Sequence, residues 1–542
     1  MSDGVTFLVT NMRWISDEDD PSEALASRVG VSRGDVISWQ LVKKSLDARH
    51  RSQVWRAVYR LEVAAGAVPS ALPPSVRVWT ARDEGRYGLD ASAPARRSWP
   101  TDVRPIVVGA GPAGLFAALY LAEAGASVTL LERGDAVQSR VRTVNGWWRG
   151  SMPLDAESNL VFGEGGAGTF SDGKIYTRRR DGELGFIFRR LVDFGAAPEV
   201  MREAWAHLGT DKIRALLPPF RERLQELGVD VRFGACVQRL IVEAGRCVGV
   251  SLTSGEEVRG GPVLVGVGHS ARDGLRMMVD AGAKASARGI AVGVRVEHPQ
   301  ELIDEARYGR PERGDLPPAS YRLTHAPPGG ARRAHTFCMC PGGMVVPATN
   351  HAGRVVVNGM SFAARRAFWA NSAVIAEVSV GDFERDLGRL AVDDPLIGLD
   401  WQDRVETRAF DLGGKNYSAP SQRIQEFMNG TASGTLPRTS YPLGVEPTDL
   451  HELLPGYLTD ALRQAMLGFE KTIPGFGGQD GVMIAPETRT TSPVRFDRDE
   501  RQCSTTVEGL YPIGEGAGYA GGIVSSALDG LRSARAILLQ HT

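Results

Sequence analysis

The sequence of 542 residues has few cysteines: five, an odd number. They are Cys236, Cys247, Cys338, Cys340 and Cys503, and they lack the spacing of zinc ligands. We therefore expect neither a disulfide framework nor a metal site, and we expect the reducing environment of the cytoplasm. No apolar run reaches about 18 residues, the length that a membrane-spanning helix needs. The first residues also lack a basic segment ahead of an apolar core, so no signal peptide is expected.

Charge of one sign is not in excess, because 63 lysines and arginines stand against 64 acidic residues. This balance gives no global reason to expect a nucleic acid or an anionic membrane as a partner. Glycine, in contrast, is abundant, with 64 residues in the chain. The glycines cluster in three turns instead of spreading as low complexity. Since glycine lets a backbone approach a ligand closely, these turns are where we look for binding.

The clearest turn is the run Gly-Ala-Gly-Pro-Ala-Gly at residues 109–114. A branched apolar run precedes it, and an alanine- and leucine-rich helix and a second apolar run follow, which is the order of a dinucleotide-binding βαβ unit. In such a unit Gly109 makes the turn, Gly111 admits a pyrophosphate and Gly114 lets the helix pack on the strand. Glu132 ends the second strand, where a carboxylate can bind ribose hydroxyls, so we expect no 2′-phosphate on the ligand.

The two other turns lie far apart in the chain. Residues 163–174 are too rich in glycine for a helix or a strand and indicate a backbone that follows a ligand closely. Residues 509–523 again predict a strand, a glycine loop and the N-terminus of an apolar helix. Cofactor-facing turns near both ends of a chain, with a domain inserted between them, are typical of FAD enzymes and not of simple NAD dehydrogenases.

The N-terminal part predicts a small α/β module of ferredoxin-like type. Its strands are expected at Val5–Val9, Val36–Val42 and Val54–Val63. Asp20 and Glu23 form a capping-box pattern for one helix, with Pro21 at its first position. The basic run Lys43–Arg51 has two interpretations, a hairpin that contacts RNA or a phosphorylated ligand, and solvated strand ends.

The predicted fold class is therefore α/β. A Rossmann-like FAD-binding domain, with a central parallel sheet and a β-meander, carries an inserted strand-rich α+β substrate domain and the small N-terminal module. The expected boundaries are 1–68 for the module, 69–105 for a linker, 106–289 for the first part of the FAD-binding domain, 290–478 for the inserted domain and 479–542 for the last part.

Several long motifs carry a resemblance to a known family. They are Val161–Lys174, Gly268–Asp273, Phe337–Gly343, Glu487–Pro493 and Gly514–Gly522. On these strings the chain resembles the uncharacterised FAD-dependent dehydrogenase family of bacterial NAD(P)/FAD-dependent oxidoreductases, which has the glutathione-reductase-type FAD fold. The resemblance covers nearly the whole chain. It implies the cofactor and the fold, and it leaves the reaction open.

The resemblance implies that FAD binds across the three turns. Its pyrophosphate is expected at Gly109, Gly111 and Gly114, its ribose at Glu132, its adenine or phosphates near Arg133, and its phosphates near Arg140. The other implied cofactor residues are Pro112, Ala113, Gly165, Gly166, Ala167, Gly168, Ser171, Asp172, Gly173, Val237, Gly268, Gly514, Glu515, Gly521, Gly522 and Ile523. The last three lie where helix N–H groups can stabilise charge at the flavin N1 and C2=O.

The candidate catalytic residues are Lys174, His207, Arg489 and Glu515. Lys174 is the last residue of the loop 163–174, which resembles the isoalloxazine-facing segment of fumarate-reductase-like flavoproteins. Glu515 is a candidate base or a main-chain contact. Arg489, or Arg495 near it, can bind a substrate carboxylate in a bidentate manner or form a structural ion pair. Three histidines lie in or near glycine-rich or strand-end positions: His207, His269 and His335. The pair Cys338 and Cys340 is either a redox dithiol or two small core residues.

Three functions remain open from the sequence. The first is a dehydrogenase or oxidase that removes hydride from a small organic substrate. The second is a reductase of a C=C or C=N bond with NAD(P)H as a transient co-substrate, although the chain shows only one dinucleotide fingerprint. The third is an RNA-associated or non-catalytic flavoprotein, in which the basic hairpin Lys43–Arg51 would contact RNA and FAD would be a structural ligand. The oligomeric state is left open.

Overall fold

A computed structural model describes residues 4–47, 53–87, 92–100, 103–177, 181–327, 329 and 332–541. Residues 48–51 of the basic run lie outside this part. The helices are α1 (Ser22–Val29), α2 (Ala81–Tyr87), α3 (Pro112–Glu123), α4 (Val137–Trp148), α5 (Leu184–Asp193), α6 (Thr210–Glu226), α7 (Arg272–Asp280), α8 (Gln300–Tyr308), α9 (Val380–Leu387), α10 (Ile397–Leu412), α11 (Ile424–Asn429), α12 (Leu450–Leu453), α13 (Gly456–Thr472) and α14 (Ile523–Gln540). None of these helices is both long and apolar enough to span a bilayer.

The strands of the described residues are β1 (Gly4–Arg13), β2 (Val36–Asp47), β3 (Val54–Ala64), β4 (Val76–Val78), β5 (Ile106–Val108), β6 (Thr129–Leu131), β7 (Asp230–Arg232), β8 (Val237–Glu243), β9 (Arg246–Leu252), β10 (Glu257–Arg259), β11 (Val263–Val265), β12 (Ala285–Ala287), β13 (Ile290–Pro299), β14 (Thr324–His325), β15 (Ala334–Pro347), β16 (Val357–Met360), β17 (Trp369–Val378), β18 (Ala419–Arg423), β19 (Val445–Pro447), β20 (Val482–Glu487), β21 (Val494–Phe496) and β22 (Leu510–Pro512). The chain divides into two compact units. The N-terminal unit is residues 1–92 and 174–207, and the large unit is residues 93–173 and 208–542.

The N-terminal unit contains an antiparallel sheet in the order β2-β3-β1-β4. This is the strand order of a ferredoxin-like fold, with a short 3-10 turn at Ala65–Ala67 where the second helix of that fold would lie. Apolar side chains at alternate positions of β1 and β3, among them Phe7 and Leu61, form the core together with Leu25 of α1. The expected capping box is wrong, because Asp20 instead accepts from the Ser22 N–H at 3.0 Å.

The two units divide the chain differently from the expected boundaries at two places. Residues 69–105 were expected as a linker, yet they contain β4, which pairs with β1. Residues 174–207 were expected within the FAD-binding domain, yet they belong to the N-terminal unit. There Lys44 of β2 donates its N–H to the Arg202 carbonyl at 2.8 Å and accepts from the Ala204 N–H at 3.0 Å. Such pairings depend on residues far away in the chain, so composition alone did not indicate them.

The large unit is built on a parallel sheet in the order β22-β11-β5-β6-β7. Its strands are short apolar runs with helices beside them, as in other doubly wound α/β folds. An antiparallel meander, β8-β9-β10, leads into β11, and β7 joins the parallel sheet instead of the meander. The predicted Rossmann-like α/β fold class is confirmed.

A second, eight-stranded sheet occupies the middle of the large unit. Its order is β14-β15-β17-β13-β20-β18-β19, and β16 pairs with β15. The pairs are antiparallel except for β18 and β19. The valines of β13 and β17 are fully buried in its core, as expected of strands covered on both faces.

Helix α14, near the end of the chain, packs closely against helix α3. A Cβ at Gly530 of α14 would overlap the carbonyl of Ala113, and a Cβ at Gly514 would lie 2.8 Å from the Ala113 Cβ. These approaches fix the loop after β22, and the N-terminus of α14, beside the first turn of α3. The two distant glycine turns are therefore brought together by helix packing.

A buried ion pair joins two neighbouring strands of the second sheet. Arg295 of β13 is fully buried and donates to both carboxylate oxygens of Glu487 on β20, at 3.0 Å for its Nη2. It also donates to Asn371 and Asn358, each at 3.1 Å. Although burial opposes the charge, Glu487 raises the pKa of Arg295 above its usual range. The pair is stable because each charge has a hydrogen-bonded partner.

We expect Arg295→Met to destabilise the protein by about 3–5 kcal/mol, because it leaves a buried carboxylate without its cation. The measurement is urea unfolding followed by far-UV circular dichroism. Arg232→Met is the control, since Arg232 is 37% exposed and pairs with acids that are more exposed still, and its loss should cost less than about 1 kcal/mol. Equal midpoints for R295M and R232M would contradict a role of this pair in stability.

Candidate functional site

The candidate site lies at one edge of the parallel sheet, where the carboxyl ends of four strands meet. Gly109 follows β5, Glu132 follows β6, Gly266 follows β11 and Ile513 follows β22. Hydrogen bonds between neighbouring strands continue into these residues, from Gly109 N–H to Leu131 at 2.7 Å and from Gly266 N–H to Val108 at 2.8 Å. In open α/β sheets, ligands bind at this edge.

The first glycine turn requires glycine at two positions. Gly109 has a φ of +99°, and a Cβ there would lie 2.5 Å from the Gly266 carbonyl oxygen. A Cβ at Gly114 would overlap the Gly109 carbonyl oxygen. A side chain at Gly109 would therefore push away the loop after β11, and one at Gly114 would push α3 away from the end of β5. Both effects agree with the roles expected from the spacing of the glycines.

Glu132 lies in the interior and accepts three backbone hydrogen bonds. Its Oε2 accepts from Ala110 N–H at 2.7 Å, and its Oε1 accepts from Gly134 N–H at 3.0 Å and from Gly163 N–H at 2.9 Å. One carboxylate thus joins the first glycine turn, its own strand end and the glycine-rich loop. Its expected contact with a ribose stays a prediction.

The glycine-rich loop, residues 163–173, crosses the first turn and reaches the start of α14. Gly165 N–H donates to the Ala110 carbonyl at 2.8 Å. A Cβ at Gly166 would lie 3.1 Å from the Gly111 Cα, and a Cβ at Gly168 would lie 3.2 Å from the Ile523 Cγ1. The three glycine turns singled out in the sequence therefore converge in the large unit.

The N-terminus of α14 completes the convergence. Gly522 is its N-cap residue, and the helix continues for 18 residues, so its dipole places partial positive charge at Gly521–Ile523. Asp529 within the helix accepts from Gly514 N–H at 2.7 Å and pairs with Arg498 at 2.9 Å. The hydrogen bond from Gly514 ties the loop after β22 to the helix that follows it.

Arg140 has a different role from the one expected, and this is a correction. It is fully buried, and its nitrogens donate to carbonyls of the glycine-rich loop and of the segment before it. The acceptors are Asn159 at 2.8 Å, Leu160 at 2.7 Å, Gly163 at 3.1 Å and Glu164 at 2.7 Å. Burial lowers the pKa of Arg140 to about 9, so the group stays charged at neutral pH. Its nitrogens fix the loop and do not bind a phosphate.

Arg489 is likewise engaged in an internal ion pair, so of its two expected roles, substrate anchor and structural ion pair, the structure shows the second. Its Nε and Nη2 donate to the two oxygens of Glu406 at 2.8 and 2.6 Å. Burial opposes the negative charge, but Arg489 and Arg272 lower the pKa of Glu406 to about 2. Arg133 is engaged as well, in ion pairs with Glu157 at 2.6 Å and Asp273 at 3.0 Å.

The remaining catalytic candidates are assigned to different units. Lys174 and His207 belong to the N-terminal unit, where they form one antiparallel bridge. Glu515 belongs to the large unit and lies between Gly514 and Gly516 after β22. Burial raises the pKa of Glu515 to about 8, and this carboxyl has no ion pair within the part of the chain that the structure describes. Of the two candidates in the large unit, Arg489 and Glu515, only Glu515 lies in the converging turns.

The other predicted residues are placed as follows. Gly268 follows β11, with room at its Cβ position, and Val237 begins β8. Burial lowers the pKa of His269 to about 4, with Arg489 and Arg272 acting in the same direction, so this histidine is neutral at pH 7. His335 lies on β15, where burial lowers its pKa. Arg495 lies on β21 with its guanidinium over the Tyr519 ring.

The cysteine pair lies on β15 of the second sheet. Cys340 is buried and Cys338 is exposed, and the two do not form a disulfide with each other. The Cys340 Sγ donates to the carbonyl of Cys338 at 3.2 Å. Within the described ranges, no group of three or more histidines, cysteines or acidic residues is arranged to hold a metal.

Sequence reasoning missed Glu164, which lies inside the glycine-rich loop. Its Oε2 accepts from the first N–H of α4, at Val137, and from Arg221, both at 2.7 Å. Burial raises the pKa of Glu164, and Arg221 opposes this shift. A single acid within a run of glycines was the available signal, because such a position favours a buried carboxylate that binds backbone N–H groups.

The converging turns fit a dinucleotide cofactor such as FAD. Gly111 offers no Cβ where the pyrophosphate would lie, and the first turn of α3 leaves N–H groups without intrahelical partners. A Cβ added at Gly268 or Gly521 would meet no atom within 4 Å, so the backbone at these positions faces open space. The residues present are thus suited to phosphates at one end and to a flavin ring at the other.

Comparison with known proteins agrees with this site. Residues 105–211 match the family described as FAD dependent oxidoreductase, and residues 289–490 match the C-terminal domain-like family of FAD-dependent proteins. Residues 6–64 match a domain of unknown function. The protein is an FAD-dependent oxidoreductase by class.

A curated relative of Clostridium beijerinckii, described as "Uncharacterized protein", is 37% identical over 517 residues, covering 95% of this chain and 95% of that protein. This chain belongs to the same family of FAD-dependent oxidoreductases. It is also similar to the GidA-related protein of Thermus thermophilus, with 14% identity, a TM-score of 0.28 and coverage of 81% of this chain and 100% of that chain. A geranylgeranyl bacteriochlorophyll reductase-like protein of Thermoplasma acidophilum gives 14% identity, a TM-score of 0.34 and coverage of 81% and 79%.

We expect Arg140→Met to weaken FAD binding by about tenfold or more, because the loop carbonyls lose their charged donor. The measurement is the dissociation constant of FAD from flavin fluorescence titration of the apoprotein. Arg142→Met is the matched control, since Arg142 lies exposed on the same helix. Unchanged FAD affinity in R140M would show that the loop does not depend on this arginine.

Proposed function

We propose that this oxidoreductase is of the dehydrogenase or oxidase type and oxidises a small organic substrate, from which a hydride passes to the flavin N5. The observation that carries the proposal is the convergence of the three glycine turns with the N-terminus of α14 at the carboxyl edge of the sheet. When bound there, FAD supplies a two-electron acceptor whose reduced form is an anion. The helix N-terminus at Gly521–Ile523 is suited to stabilise that negative charge.

Glu515 supports the proposal as a proton-transfer group. Its pKa of about 8 lies near neutral pH, which suits a residue that gives or takes a proton during catalysis. Below that pH it is a neutral hydrogen-bond donor, and above it a base. It follows Gly514, which is fixed by Asp529 at 2.7 Å, so the backbone that carries the carboxyl is held in place.

A reductase that uses NAD(P)H as a transient co-substrate is the second candidate. The family of FAD-dependent oxidoreductases admits either direction of hydride transfer. The chain, however, carries a single dinucleotide fingerprint, at residues 109–114, and FAD accounts for it. The first candidate is therefore favoured.

The test is to add NADH or NADPH to the purified protein without oxygen and to follow the visible absorption band of the flavin. The proposal expects no fast bleaching by either nucleotide, and bleaching by a small organic substrate from a panel of carboxylated compounds. Fast bleaching by a nucleotide would favour the reductase instead. A colourless protein that takes up no added FAD would contradict both candidates.

We expect Glu515→Gln to change how stability depends on pH. The folded carboxyl has a pKa of about 8 against an ordinary value of 4.5, so the folded state holds more protons between these values. Stability of the unmodified protein should therefore fall as pH rises through this window, and E515Q should lose that fall. Thermal unfolding midpoints across the window give the measurement, with the exposed Glu508→Gln as control. Parallel curves for the unmodified protein and E515Q would contradict the shifted pKa.

A further inference from the structure

A polar cluster lies at the end of the glycine-rich loop, in the large unit. It contains Thr169 and Asp172 of the loop, Arg214 of α6, and Ser361 and Arg365, which follow β16. Two hydrogen bonds tie the start of α6 to the segment after β16. Thr210 N–H donates to the Ser361 carbonyl at 2.9 Å, and Asp211 accepts from Ala363 N–H at 2.7 Å. The two arginines therefore flank the same short stretch of the loop.

Arg214 is a charged side chain without an ion pair in the described part of the chain. Its Nε donates to the Thr169 carbonyl at 3.3 Å, and its guanidinium carbon lies 4.2 Å from the centre of the Phe170 ring. Its Nη2 is buried and has no hydrogen-bond partner among the described residues. Burial lowers the pKa of Arg214 to about 10, and Asp211 opposes this shift. The guanidinium still carries its charge at neutral pH.

Arg365 presents a second buried nitrogen beside the same loop. Its Nη2 lies 3.3 Å from Asp172, an acid that also accepts from the Ser361 hydroxyl, while its Nε is buried without a partner among the described residues. The backbone of Arg365 has a φ of +47°, which is rare outside glycine and is found at functional positions. A Cβ at Gly342 would overlap the Arg365 carbonyl, so close packing keeps the strained residue in place.

Other arginines of the large unit also keep one buried nitrogen without a partner, but their charge is compensated. Arg272 pairs with Asp403 and Glu406, and Arg498 pairs with Asp529. In the cluster at the loop, Asp172 pairs with Arg365, whereas Arg214 has no ion pair within the described residues. Asp211 accepts a backbone N–H. Arg214 therefore carries a charge without an ion-paired partner beside a second arginine, and this arrangement suits an anion.

The position of the cluster links it to the flavin site. Gly168 precedes Thr169 directly, and a Cβ at Gly168 would lie 3.2 Å from Ile523, the first residue of α14. The segment with the two arginines therefore begins where the loop meets the helix N-terminus. A substrate that extends from that point along the loop would reach Arg214 and Arg365.

We propose that Arg214 and Arg365, which both contact residues 169–172, form a subsite for a carboxylate group of the substrate. This inference rests on the proposed function, because it assigns a chemical class to the substrate of the same site. The two unpartnered nitrogens supply the donors, and the carboxylate supplies the missing negative charge. Binding in this subsite orients the substrate without taking part in the hydride step.

The test measures binding of benzoate and of succinate to the FAD-loaded protein, by perturbation of the visible flavin spectrum and by the shift of the thermal unfolding midpoint. The thermal shift does not depend on catalysis. We expect saturable binding of at least one probe, and dissociation constants raised by about tenfold or more in Arg214→Met and in Arg365→Met. Lys212→Met and Arg366→Met are matched controls, because both side chains are exposed on the same segments. They should bind the probe as the unmodified protein does.

Arg214→Lys separates loss of the site from loss of the fold, since it keeps the charge but not the planar donor set. It should fold, hold FAD and bind the probe with intermediate affinity. Equal affinities in all variants, or a response to chloride of the same size as to a carboxylate, would overturn the inference. A protein that takes up FAD but binds neither probe would overturn the inference and leave the proposed function standing. A protein that takes up no FAD would contradict the proposed function itself.

Discussion

Opposite charges hold Gly163 from both sides in the interior of the large unit. Glu132 accepts its N–H at 2.9 Å, and Arg140 donates to its carbonyl at 3.1 Å. The two charges also stabilise each other, since Glu132 raises the pKa of Arg140 against the effect of burial. A buried charge that loses its partners is costly, so this arrangement persists only while the loop, the turn and the strand end keep their places. The geometry of the whole candidate site depends on it.

The parts that the sequence predicted are those with a local cause. The strand, turn and helix around Gly109 are determined by residues close together in the sequence. The structure has β5, α3 and β6 there. The composition of the glycine-rich loop predicted a backbone that follows a ligand, and the family resemblance implied that this loop and the first turn share one site. In the N-terminal unit, strands were expected at Val5–Val9, Val36–Val42 and Val54–Val63, and the structure has β1, β2 and β3 there.

The parts that the sequence could not predict depend on distant partners. Arg140 was expected near the phosphates, and Arg489 had two expected roles, a substrate anchor and a structural ion pair. The sequence does not distinguish such roles, because it does not show whether an arginine faces a ligand, a carbonyl or a carboxylate. Only the fold shows that Arg140 lies among loop carbonyls and that Arg489 pairs with Glu406, which lies 83 positions earlier in the sequence. The same reason explains why residues 174–207 were not expected in the N-terminal unit. They bond to β2, which lies far before them in the sequence.

The hydrogen bonds of an arginine therefore distinguish structural from ligand-binding roles better than its sequence context does. Arg140 has acceptors for its Nε, Nη1 and Nη2 within the fold, so a ligand would have to compete with them. Arg214 has a carbonyl acceptor for its Nε and a buried Nη2 without one. Such a donor lowers the stability of the free protein by about 1–3 kcal/mol. A ligand that satisfies it gains that amount on binding, which is why an incompletely satisfied arginine beside a cofactor loop is a stronger candidate than a fully satisfied one.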